Sequence, residues 1–165
     1  MRLFLILAVA FILVFTGEGA LDFNNLQNYV DGYNNKIETA PPVLKSLLGN
    51  ENIDFTLLLD SGKTVRWGIE MKDAMIVSTS NRGLQNPTIT VYSTENAINK
   101  VLAAQDPIAA YKEAEKANEM RIEGKTFGAN IKIMTALSLG SAINPFLHSL
   151  MTESKQPLAA YPNAK

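Results

Sequence analysis

The chain contains no cysteine, a single histidine and a single tryptophan. Without cysteine there is no disulfide framework, no thiolate zinc site and no lipid-modified cysteine. The lone His148 is far below the ligand count a zinc site needs, and any Ser-His relay would have to rest on it. No Gly-x-Ser-x-Gly elbow is present, and Leu139-Gly140-Ser141-Ala142 does not supply one. An excess of charge of one sign is also missing: Lys and Arg number 15, Asp and Glu 16, for a net charge of −1. With a pI of about 5.8 the chain lacks the broad basic surface that nucleic acid requires. A juxtamembrane Lys/Arg cluster is absent too. The glycines are dispersed and form no dinucleotide fingerprint. Ser61-Gly62-Lys63-Thr64 has the ending of a P-loop, but Leu57 stands where its first glycine belongs, and the residues that follow alternate as a strand.

What is present begins with MRLFLILAVAFILVFTGEGA: Arg2, an unbroken apolar run from Leu3 to Phe15, then small residues. This is the layout of a secretory signal over residues 1–20. Its 13 apolar residues would span only about 20 Å as helix, short of the roughly 30 Å of a bilayer core. A cleaved signal is therefore favoured over an uncleaved anchor, and an exported protein is expected. A cut after Gly19, with Gly17 at −3, fits the small-residue rule better than one after Ala20. The chain has 165 residues, enough for one domain, expected over 22–150 with a loose tail over 151–165.

Leu26, Tyr29, Val30, Tyr33 and Ile37 recur at helical steps until Pro41-Pro42, and Val43 to Leu48 form a short second helix stopped by Gly49. Ile53 to Leu59 and Val65 to Met71 alternate about a Ser61-Gly62 turn, which predicts a hairpin. Met75 to Ser80 and Thr88 to Tyr92 extend it as a meander. Thr94 and Asp106-Pro107 cap two further helices. Met120 to Gly124 is a strand leading into a last helix from Phe127. Segregated strands and helices indicate an α+β domain, one sheet with helices over one face. Arg66, Glu70 and Lys72, and separately Arg121 and Glu123, share strand faces and are expected to form cross-strand ion pairs on a wet surface.

The last helix is unusually apolar. Phe127, Ile131 and Met134 cluster on one side, Leu137 and Ile133 widen the arc, and Lys132 is the only charge from Phe127 to Ile143. Either it is sandwiched in a dry core or part of it lines a cavity for an apolar ligand; periodicity does not separate the two.

From Ile53 to Leu139 the order of elements resembles the sterol carrier protein 2 (SCP2)-like lipid-transfer family. The likeness is carried by FTLLLDSGKTVRWGIEMKDAMIVSTS, by PTITVYSTENAINKVLAAQDPIAAYKEA and by MRIEGKTFGANIKIMTAL. It implies a single five-stranded, mostly antiparallel sheet covered on one face by helices and enclosing an apolar tunnel for fatty acyl, sterol or isoprenoid lipids. It implies no catalysis and no cofactor. Carried onto this chain, the lining is Trp67, Met71 and Ile122 from the sheet, Ile98, Leu102, Ile108 and Tyr111 from the middle helices, and Phe127, Ile131, Met134 and Leu137 from the last. The expected partner is a small hydrophobic lipid, with transient membrane contact. Three rivals stand beside this reading: an accessory domain supporting a partner enzyme of lipid or quinone metabolism, a small hydrolase using Ser141 or a carboxylate with His148, and a structural domain with a closed core.

Overall fold

A computed structural model describes residues 26–138; the expected signal and the tail lie outside them. Helix α1 (Leu26–Glu38) buries Val30, Tyr33 and Ile37, spaced three and four apart on one side. Helix α2 (Pro42–Leu48) opens on a proline, whose missing N–H costs nothing in a first turn, and closes at Gly49 with φ +41°.

Five strands follow the expected positions closely: β1 (Asn52–Leu58), β2 (Thr64–Lys72), β3 (Met75–Ser80), β4 (Ile89–Thr94) and, later, β5 (Met120–Gly124). Gly62, at φ +79°, makes the β1–β2 turn, where its amide donates to the Leu59 carbonyl. Between β2 and β3, Asp73 and Ala74 both take positive φ, the geometry of a two-residue hairpin loop matched to strand twist. The turn tolerates non-glycine residues because it is tied down. The Ala74 amide donates to the Gly49 carbonyl, the Asp73 amide to Asn50 Oδ1, and the Tyr33 hydroxyl to the Ala74 carbonyl.

The sheet order is β3-β2-β1-β4-β5. Three of its four pairings are antiparallel, whereas β1 and β4 run parallel. This corrects the expected meander: β4 does not continue from β3 but crosses to the far side of β1. Alternation reports which face a residue occupies, not which strand lies beside it. A bulge makes Val77 the extra residue of β3, opposite Glu70 and Met71, and leaves it 60% exposed.

Helix α3 (Glu95–Ala103) starts at Thr94, whose hydroxyl accepts the Ala97 amide at 3.2 Å. Helix α4 (Pro107–Lys116) starts at Asp106, which accepts from Ile108 and Ala109. Each cap satisfies donors that have no partner within the helix. Helix α5 (Phe127–Ser138) starts at Thr126, which accepts from Ala129. Helix α1 packs on β3, α3 on β4 and α4, α4 on β5, and α5 on β5 and α2. The result is α+β, a single mostly antiparallel sheet with its helices.

Candidate functional site

The inner face of the sheet is built by period-two alternation. Ile53, Phe55 and Leu57 of β1 and Ile89 and Val91 of β4 are no more than 2% exposed. Trp67, Ile69 and Met71 of β2 and Met120 and Ile122 of β5 join them. The strand register aligns Trp67, Phe55, Val91 and Ile122 in one apolar row across four strands, about 14 Å from end to end at about 4.8 Å per strand. The helices add Ile98 and Val101 from α3 and Ile108, Tyr111 and Ala114 from α4, all buried. Burying one Phe-sized side chain is worth about 1.5–3 kcal/mol, so this layer is the main source of cohesion.

Six of the eleven expected lining residues therefore share the interior: Trp67, Met71, Ile98, Ile108, Tyr111 and Ile122. Two do not. Phe127 is 82% exposed and Ile131 48%. The side chain that α5 turns inward here is Ala129 at 2%, so the Phe127–Ile131 stripe faces outward. The side chains of Leu102, Met134 and Leu137 lie outside those the structure describes.

No protein-family model and no curated protein matches the chain. Solved structures do. A conserved hypothetical protein of Thermus thermophilus, described as possibly a sterol carrier protein, aligns at TM-score 0.53 and 12% identity over 86% of this chain and 94% of its own. The fold is SCP2-like. A UbiJ-SCP2 ubiquinone synthesis protein (TM-score 0.49, 11% identity, 74% of this chain and 98% of that one) is also similar. So is the sterol carrier protein domain 2 of Helicoverpa armigera (0.47, 12%, 75% and 96%). At such identities the likeness is one of fold.

The other face of this SCP2-like sheet is polar. The register sets Arg66, Thr56, Tyr92 and Arg121 in one row and Gly68, Asp54, Thr90 and Glu123 in the next. All of these but Gly68, together with Lys125, border an open concavity of about 350 Å³. Sequence reasoning missed Asp54, whose side chain is only 7% exposed although it sits on the outer face. The β3–β4 loop explains this: Leu84 donates its amide to Asp54 Oδ1 at 3.1 Å, and Leu84 also lies over Gly68, where a Cβ would come within 2.5 Å of its Cγ. Arg66 donates from Nη2 to Asp54 Oδ2 at 2.6 Å, so its cross-strand partner is this diagonal neighbour. Hydrogen bonding to Asp54, then its charge, makes the guanidinium hold its proton more tightly still.

On β5, Glu123 is held below the usual glutamate range, first by the hydrogen bond from Lys125, then by the charges of Arg121 and Lys125. Glu51, another buried carboxylate the sequence does not single out, accepts from Lys132 Nζ at 2.7 Å and from the Thr88 hydroxyl. The Asp54 and Glu51 pairs tie elements together, whereas Glu123 pairs along its own strand and the turn after it rather than across strands, and each carboxylate faces a cation rather than a second acid. Among the described residues no group of His, Cys, Asp and Glu is placed to hold a metal ion. No described helix is long and apolar enough to cross a membrane.

Proposed function

We propose that the domain binds a hydrophobic lipid between the helices and the inner face of the sheet, and carries or presents it without catalysis. The observation that carries this reading is the apolar row Trp67, Phe55, Val91 and Ile122 set under apolar helices in an SCP2-like fold. The enclosing tunnel, the export of the protein and the lining role of Met71, Ile98, Ile108 and Tyr111 belong to the same proposal. Each buried methylene of a ligand contributes about 0.8 kcal/mol before ordering costs. An acyl, sterol or isoprenoid ligand thus needs few polar anchors, which suits the apolar inner layer of the sheet.

The test uses the protein's single tryptophan. Trp67 is buried in the inner layer and serves as an energy donor to cis-parinaric acid. Saturable transfer at one ligand per protein, displaced by unlabelled lipid, is the expected result. Organic extraction with mass spectrometry of the purified protein would then identify the resident lipid. No transfer with fatty acid, sterol or quinone probes, and no extracted lipid, would mean a closed core and would overturn the proposal.

A further inference from the structure

The concavity on the outer face of the sheet gathers hydrogen-bond donors that the fold itself does not use. The short side chains of Thr56 and Thr90 lie between the long ones of Arg66 on one side and Arg121 and Lys125 on the other, so a low floor separates two cationic rims. Strand register sets Thr56 beside Tyr92 and Tyr92 beside Arg121, in steps of about 4.8 Å. Among the described residues the hydroxyls of Thr56, Thr90 and Tyr92 have no hydrogen-bond partner, and Tyr92 is 37% exposed. The ion pairs leave the cations with donors to offer. Arg121 meets Glu123 Oε1 through Nε at 3.2 Å, which leaves the fork of its two terminal nitrogens open among the described residues. Lys125 uses one bond, to Glu123 Oε2 at 2.7 Å, of the three an ammonium can donate. Arg66 commits Nε and Nη2 to Asp54 and keeps Nη1.

Three cations against the carboxylates of Asp54 and Glu123 leave the border of the concavity with a net charge of +1. Asp54, 7% exposed, balances Arg66 at 2.6 Å, so the uncompensated charge lies at the β5 end. We infer that this concavity binds a small hydroxylated monocarboxylate of the sugar-acid class, its carboxylate on Arg121 and Lys125 and its hydroxyls on Thr56, Thr90 and Tyr92. A monoanion matches the net charge, whereas the dianion of a phosphate ester exceeds it. A planar carboxylate fits the open guanidinium edge with two parallel bonds. Hydroxyl side chains both donate and accept, as sugar hydroxyls do, and the Tyr92 ring offers an apolar surface to the carbon face of the ligand. The volume stands at the small end of the roughly 300–1,000 Å³ of ligand pockets, which suits a single sugar ring. The site lies across the sheet from the apolar layer and does not depend on the lipid-carrier reading.

The experiment is an NMR titration of the isotope-labelled protein with sodium glucuronate at low ionic strength. Saturable shifts of the Thr90, Tyr92 and Arg121 amides are expected. Glucose, which lacks the carboxylate, and acetate, which lacks the hydroxylated body, should each bind at least tenfold more weakly. Arg121→Gln should weaken glucuronate binding about tenfold, with Arg121→Lys in between because it keeps the charge and loses the fork. Thr90→Val and Tyr92→Phe remove one hydroxyl each from the exposed face and should weaken it about threefold. Lys112→Gln, an exposed cation on α4, should change nothing. Absence of saturable shifts at these amides would overturn the inference. So would equal affinity for acetate, which would make the patch an unselective anion site, or tighter binding of inorganic phosphate. Affinity unchanged in Arg121→Gln, Thr90→Val and Tyr92→Phe would place the ligand elsewhere and overturn it as well. Parinaric acid transfer from Trp67, measured with and without glucuronate, keeps the two proposals separate. Lost transfer with intact glucuronate shifts removes the lipid-carrier reading and leaves the sugar-acid site standing.

Discussion

Asn34 of α1 pairs with both backbone groups of Ile76 on β3: its Nδ2 donates to the Ile76 carbonyl at 3.0 Å and its Oδ1 accepts the Ile76 amide at 2.8 Å. β3 is an edge of the sheet, and an unpaired edge invites another strand to add to it. Asn34 acts there as a one-residue substitute for the missing neighbour. The other edge, β5, receives a similar contact, since Asn130 of α5 donates to the Gly124 carbonyl.

Asn34→Leu should therefore destabilise the domain by about 1–3 kcal/mol, the cost of leaving partly buried amide and carbonyl groups without partners. It should also raise the tendency to self-associate. Asn34→Asp keeps the acceptor but sets a carboxylate against the Ile76 carbonyl, so it should be at least as damaging. Denaturant melts and light scattering on the two variants check this.

Gly68 tests how the β3–β4 loop lies on the outer face. A methyl group there would meet Leu84 Cγ at 2.5 Å and the Gly83 carbonyl carbon at 2.9 Å. Gly68→Ala should lift the loop and loosen the bond from the Leu84 amide to Asp54, costing about 1–3 kcal/mol. Adding Leu84→Ala should recover part of that loss, because the side-chain collision disappears while the backbone one remains. Thermal melts of the single and double variants give the answer.

These two sites show where sequence reading reached and where it stopped. The caps at Thr94 and Asp106, the Gly62 turn and the strand Met120–Gly124 were legible because each depends on local chemistry. That β4 lies beside β1 was not, since it is decided by a loop whose path no periodicity records. The same loop buries Asp54, which alternation alone assigns to water. For the interior, alternation placed Trp67 and Met71 on one face of β2, and the family resemblance added Ile122. On α5 periodicity found the stripe of Phe127 and Ile131 but not its direction. A helix with Ala129 against the sheet turns that stripe outward, and a spacing of three and four residues is the same for either orientation.

The Glu123 carboxylate should titrate below the ordinary glutamate value of 4.5, because Lys125 and Arg121 favour its charged form. A depressed folded-state value means the stabilisation is present above the ordinary value and is lost as pH falls through the lower, folded one. Lys125→Met should move the titration upward. Carbon-detected NMR of the carboxylate in both proteins would show it, and an unchanged midpoint would mean that Lys125 does not hold the charge.

The pair formed by Lys132 and Glu51 joins α5 to the start of β1 across 81 residues of chain. Glu51 is 5% exposed at its side chain and Lys132 34%, so the two partners do not lose equally when separated. Lys132→Met leaves a carboxylate buried with only the Thr88 hydroxyl for support, and breaking such a pair should cost about 3 kcal/mol. Removing the acid as well, in Glu51→Leu with Lys132→Met, abolishes the uncompensated charge and should restore much of that stability. The double variant is thus expected to melt above Lys132→Met alone. Both should be assayed for parinaric acid exchange, since α5 would then be held to the sheet by packing instead of by charge. If the double variant is the less stable, the pair contributes through geometry that an apolar replacement does not reproduce.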